Sequence, residues 1–200
     1  NSDSSDGDIS NDPYPDNDDY WIVKIDSSGN IIWDKIVGGA DYEYLYNGIA
    51  TEDGGVIALG HIGSQEGDIS VFYGMNDIWM IKLNNEGDIE WDFTIGNAFF
   101  DFGFAIIQTS DGGYLVGGFS VIQGGGNLSC EPHSSLADGV VIKLDADRNI
   151  EWQHCYGGSL EDQVSGFLEL SDGYIILAGT YSNDGDVTGF HGLPGETSDI

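Results

Sequence analysis

Carboxylates crowd three stretches of this sequence: Asp3, Asp6, Asp8 and Asp12 near its start, Glu66 and Asp68, and Asp184 and Asp186. Spaced by one or two residues among glycines, such side chains can converge on Ca2+, which takes about six to eight oxygen ligands. None completes the EF-hand spacing Asp-x-[Asp/Asn]-x-[Asp/Asn]-Gly-x5-Glu. The alternative reading is a solvated turn in which each Asp caps its own backbone.

Two groups of rings stand out: Tyr42, Tyr44 and Tyr46, and Phe99, Phe100 and Phe102. Exposed, they would stack on sugars or anchor a protein partner; buried, they would pack between neighbouring sheets. Lys24, Lys82 and Lys143 recur in one sequence context, fit either for a ring of positive charge or for lysines held by carboxylates. His61, His133, His154 and His191 show no metal-ligand spacing, and no Gly-x-Ser-x-Gly, P-loop or His-Glu-x-x-His is present. No catalytic residue and no organic cofactor is assigned.

Thirty-five acidic against five basic residues give a formal charge of −30 over 200 residues. That field repels nucleic acid and anionic membrane, whose ligands need basic patches, and it attracts divalent cations. No run of apolar residues is long enough to span a bilayer. The two cysteines, Cys130 and Cys155, suit a disulfide made in an oxidising compartment.

The elements that must position these residues emerge from an internal repeat. Asp19, Asp77 and Asp138 open three similar segments: DYWIVKIDSSGNIIWDKIVGG, DIWMIKLNNEGDIEWDFTIGN and DGVVIKLDADRNIEWQHCYGG. Trp33, Trp91 and Trp152 each follow the recurring Lys by nine positions. An Asp-Gly follows each Trp by 20, at Asp53, Asp111 and Asp172, and a Gly by 27, at Gly60, Gly118 and Gly179. Apolar residues alternate with period two, as Trp21, Val23 and Ile25 do, which predicts strands and excludes helices. Each repeat reads as four strands, a to d, joined by tight a–b and c–d turns, the size of one blade of a β-propeller. The expected fold is therefore all-β: tandem four-stranded antiparallel blades, about three of them, within a larger ring or assembly. The blades are placed at 19–76, 77–137 and 138–198, with 1–18 the tail of a preceding repeat and 199–200 the start of a fourth. The three Trp rings are expected to be largely buried between sheets. In the third repeat, Arg148 stands where the a–b turn has Gly, and a weaker hairpin is expected there.

The pattern K-[IL]-[DN]-x-x-[GR]-[ND]-I-x-W, then G-[GN], then D-G-[GY], resembles the delta-sixty-type propeller repeats of large secreted bacterial and archaeal surface proteins. The DGD(I/V)(S/T) linkers look especially like repeat proteins that Bacteroidota export. The resemblance covers nearly the whole chain and implies a propeller on a cell surface; it carries over no catalytic residue.

Strand direction puts the d–a and b–c loops at one rim and the tight turns at the other. The long-loop rim is the expected functional face, carrying the acidic loops and both aromatic groups. Cys130 and Cys155 also fall at that rim and are expected to pair. The leading expectation is a secreted or cell-surface, non-catalytic module that binds protein or glycan, with other repeats or chains completing the ring. A structural repeat of a filament or giant adhesin, and a propeller-type glycoside hydrolase or lyase, are the alternatives.

Overall fold

Residues 9, 13, 17–122 and 124–188 are described by the computed structural model. The period-two segments form twelve strands, and the described residues contain no helix. In chain order these are β1 (Tyr20–Ile25), β2 (Ile31–Val37), β3 (Tyr44–Ala50), β4 (Val56–Ile62), β5 (Asp77–Leu83) and β6 (Ile89–Ile95), then β7 (Asp101–Gln108), β8 (Tyr114–Ser120), β9 (Asp138–Leu144), β10 (Ile150–Tyr156), β11 (Asp162–Leu170) and β12 (Gly173–Thr180). They follow the expected a, b, c, d order three times.

The a–b turn is the same construction in every copy. Asp26, Asn84 and Asp145 each accept backbone N–H groups from two and four residues ahead. The side chain thus fixes the turn through contacts within five residues. Gly29 and Gly87 take the position that requires positive φ, at 86° and 88°. Arg148 adopts φ 69° there, and its N–H still bonds Asp145, so the third hairpin keeps its form with Arg held in the left-handed region.

The hydrogen-bonded sheets do not begin where the repeats begin. Their orders are β1-β2, β3-β4-β5-β6, β10-β9-β8-β7 and β11-β12. Strands c and d of one copy therefore pair with a and b of the next. The expectation that 19–76 makes one sheet is corrected: each four-stranded sheet starts two strands later. The long loops 63–76 and 121–137 leave a sheet and return to it, whereas the short link 38–43 leads from β2 to the next sheet. A second correction concerns the third copy. Gly60 and Gly118 face Leu45 and Gly103, but the equivalent Val164 faces Ala178. The c–d turn is one residue shorter there, and Gly179 is not the counterpart of Gly118.

The chain divides into two compact units, Asn1–Phe72 with Ile78–Thr94, and Tyr73–Asp77 with Ile95–Ile200. In the first, Tyr20, Ile22 and Val37 of the β1–β2 hairpin pack with Ala58, Ile62, Trp79, Ile81 and Leu83; Tyr20 and Trp79 meet at 5.0 Å between ring centroids. In the second, Val164 and Phe167 of β11 pack on Ala105, Leu115 and Val141. Gly117 permits this contact, since a Cβ there would lie 2.4 Å from the Phe167 ring. Trp33, Trp91 and Trp152 are only half-buried, contrary to expectation. The fully buried indole is Trp79, in strand a.

Candidate functional site

Where strands a and c begin, each repeat carries a pair of carboxylates. Glu43, Asp101 and Asp162 fix loops, accepting the N–H of Gly39, Asn97 and Gly158, each four residues earlier. Their companions are the strand-a residues Asp19, Asp77 and Asp138, 24 positions earlier in every copy. Asp77 receives the N–H of Tyr73, and Asp138 that of His133. All six are buried. The recurring Gly after strand b makes room for them. A Cβ on Gly38, Gly96 or Gly157 would stand 2.0, 2.0 or 2.2 Å from a carboxylate oxygen of Asp19, Asp77 or Asp162.

Two carboxylates in one dry site cannot both hold a charge cheaply. Burial pushes Asp101 up to about 7, against the hydrogen bonds of Ser120 and Asn97, and the charge of Asp77 adds to the rise. Burial likewise takes Asp77 to about 6. It takes Glu43 to about 8, opposed by the N–H of Gly39 and helped by Asp19. Their hydrogen bonds to loop N–H groups fit loop fasteners that hold a proton, and Asp162 also lines a cavity.

The aromatic residues are better exposed. In the first unit Tyr42, Tyr44 and Tyr46 form a ladder with His61, with centroid distances of 6.5 Å for Tyr42–Tyr44, 5.2 Å for Tyr44–His61 and 5.5 Å for Tyr46–His61. Burial lowers the His61 pKa to about 4, so its ring is neutral and stacks as an aromatic. In the second unit Phe100, Phe102, Phe104 and Phe119 repeat the ladder at 6.4, 4.8 and 5.6 Å. Phe99 sets its edge against Phe100. His61 and Phe119, missed in the sequence, could have been found from their equal place in strand d.

The second ladder borders a cavity of about 560 Å³. Phe100, Phe102 and Phe119 form one side; Leu136, Glu161 and Tyr181 contribute to the rest. Strand starts, strand ends and the 121–137 loop all meet here, which is the rim expected to carry function. Glu161 takes the position of Phe100 in the third repeat and was not singled out.

The acidic loops serve the backbone where they are described. Asp68 accepts the N–H of Gly38, Asp184 that of Ser159, and Asp186 lies 3.2 Å from Nε2 of His133. Glu66 carries its part through its carbonyl, which takes the N–H of Ile69. Asp3, Asp6, Asp8 and Asp12 lie outside the described residues. Among the described residues no group of three His, Cys, Asp or Glu is placed to hold a metal.

The lysines belong to the opposite end of the strands. Lys82 donates to Asp53 and Glu90, at 2.8 and 2.7 Å, and Lys143 pairs with Asp111 and Glu151, at 2.9 and 3.0 Å. Lys24 donates to Gly54 O and to Asn85. These are fastened lysines, not a charged ring. Cys130 and Cys155 stand at disulfide distance, with Cα atoms 5.5 Å apart. No helix of the described residues is long and apolar enough to cross a membrane. No family model matches the chain, and no curated protein matches it.

Proposed function

We propose that this chain is a non-catalytic β-propeller module of a secreted or cell-surface protein, binding glycan or protein through its long-loop rim. The rim cavity carries the reading. Its volume lies within the range of small-ligand sites, roughly 300–1,000 Å³, and it joins a phenylalanine wall to one exposed carboxylate, Glu161. A ring with an apolar face and outward hydroxyls, as in a neutral sugar, would stack on Phe100 and donate to Glu161. At a net charge of −30 an acidic glycan is disfavoured. The blade reading draws on two consecutive four-stranded sheets in chain order, and the secreted location on the cysteine pair. Calorimetric titration with neutral oligosaccharides should give binding that Phe100→Ala weakens about tenfold or more, the loss of one stacking anchor. Binding untouched by Phe100→Ala, or an exclusive preference for a protein partner at another face, would remove the cavity from the proposal.

A further inference from the structure

We infer that the cavity of the second unit selects a sugar bearing a protonated amine, an amino sugar with its nitrogen unacylated, over the neutral sugar of the same shape. The inference rests on the rim reading and narrows it. The cavity joins two kinds of wall. On one, the rings of Phe100, Phe102 and Phe119 follow one another at 6.4 and 4.8 Å. On the other, Glu161 and Gln163 stand nine and eleven positions after Trp152, where the second repeat has Phe100 and Phe102 after Trp91. Both charged residues of the described lining, Glu161 and Asp162, are acidic.

These two carboxylates differ in what is left for a ligand. Asp162 is buried and already accepts the N–H of Gly158 at 2.8 Å, the hydroxyl of Ser182 at 2.9 Å and the hydroxyl of Thr180. Glu161 is exposed, and no described residue donates to its carboxylate. Its backbone is nevertheless held. The Glu161 carbonyl accepts the N–H of Tyr181 at 3.0 Å, and the next N–H, of Asp162, bonds Ala137 O at 2.9 Å. A fixed main chain thus presents a carboxylate with its acceptor capacity unspent.

No lysine or arginine of the unit offsets that charge. Lys143 is paired with Asp111 and Glu151, and Arg148 sits in the turn between β9 and β10. Both belong to the turn end of the strands, whereas the cavity lies where β7 and β11 begin. A hydroxyl and an ammonium can each donate to Glu161, but only the ammonium adds charge attraction and a cation held against ring faces. An anionic sugar would meet Glu161 and the whole charge of −30. The cavity, at about 560 Å³, is far larger than an ammonium group. Its phenylalanine rings call for the apolar face of a sugar ring as well, so the amine belongs on a glycan frame.

Calorimetric titration of the full chain with two matched probes tests this: cellotriose, and the same trisaccharide with one 2-amino group on its non-reducing ring. The titrations are run below about pH 7, where such an amine is protonated. Physiological salt limits the general field of the protein to about 8 Å, so a preference reports the cavity. The wild type should bind the amine probe about tenfold more tightly than cellotriose. Glu161→Gln should bring the ratio of the two affinities close to one, and Phe100→Ala should weaken both probes. Each variant's melting curve checks that it is folded. Equal affinities in the wild type, or a preference that survives Glu161→Gln, would overturn the amine inference and leave the rim reading standing. Failure of both probes to bind would overturn the inference together with that reading.

Discussion

A carboxyl group with no solvent around it favours its proton, and this protein repeats that situation in each copy of its motif. Asp101 and Asp77, raised by burial to about 7 and about 6, bind protons in the fold that the unfolded chain has already released near pH 4. Stability from them is therefore complete below that pH and is lost as pH rises through 6 and 7. The exposed turn residues Asp53 and Asp111 work in the opposite sense. Hydrogen bonds from Lys82 and Thr51, and from Thr109 and Lys143, hold them well below the usual carboxylate range, so their contribution is lost on acidification. The melting temperature should consequently peak in mildly acidic solution and fall toward pH 8, and Asp101→Asn should flatten that fall; a profile rising to pH 8 would contradict the buried pairs. Space is as restrictive as charge here. Gly96→Ala places a methyl 2.0 Å from the buried Asp77 Oδ1, and denaturant unfolding should show a loss of about 1–3 kcal/mol. Arg148 invites the reverse change. It holds φ 69° where the other copies use Gly, so Arg148→Gly should stabilise by about 0.5–1 kcal/mol.

At the scale of elements, the strands and their tight turns could be read directly from the residues, because both are local. Period two shows in Trp21, Val23 and Ile25, and the side chain that fixes each a–b turn, such as Asp26, lies within four residues of the N–H groups that donate to it. Sheet membership is not local, and there the reading went astray. The loops 63–76 and 121–137 are long enough to cross between sheets or to return to the same one, and nothing in their composition distinguishes the two. The short link 38–43 looks like a hairpin but spans sheets, folded over Gly38, whose missing side chain admits Asp19 and Glu43. Within the second unit, the cavity's place where strands c and a begin follows from strand direction, which either sheet grouping preserves; its third-repeat wall could not be read, because Glu161 replaces an aromatic. The cysteines were placed correctly by the same strand-direction argument. Closing 25 residues between Cys130 and Cys155 is worth roughly 3 kcal/mol in the chain-entropy treatment. Denatured, unreduced protein should show no titratable thiol, and reductant should lower the melting temperature; two thiols per chain would withdraw both the bridge and the support it lends to an extracellular location.

For the whole molecule the governing quantity is a charge of −30 on 200 residues. Compaction brings those charges together, and repulsion then subtracts from a net stability that is typically only about 5–15 kcal/mol. Dilute buffer, with a Debye length of about 30 Å near 0.01 M salt, lets charges across the fold repel one another; at 0.15 M the range drops to about 8 Å. Sodium chloride should therefore raise the melting temperature steeply over that interval and little beyond it. Calcium chloride separates this general screening from specific ligation. Asp68, Asp184 and Asp186 already face Gly38, Ser159 and His133, so ligating a cation would cost those contacts before it gained any. At matched ionic strength calcium and sodium should accordingly give the same melting curve for the loops at 66–68 and 184–186. The comparison is made most cleanly with Asp68→Asn and Asp186→Asn, which remove one charge each while keeping an acceptor. If micromolar calcium, added over a background of 0.15 M sodium chloride, stabilises the wild type but not these variants, the acidic loops exchange their backbone partners for metal. If it stabilises all three equally, the ligands lie elsewhere, with Asp6, Asp8 and Asp12 the carboxylates next in line for substitution.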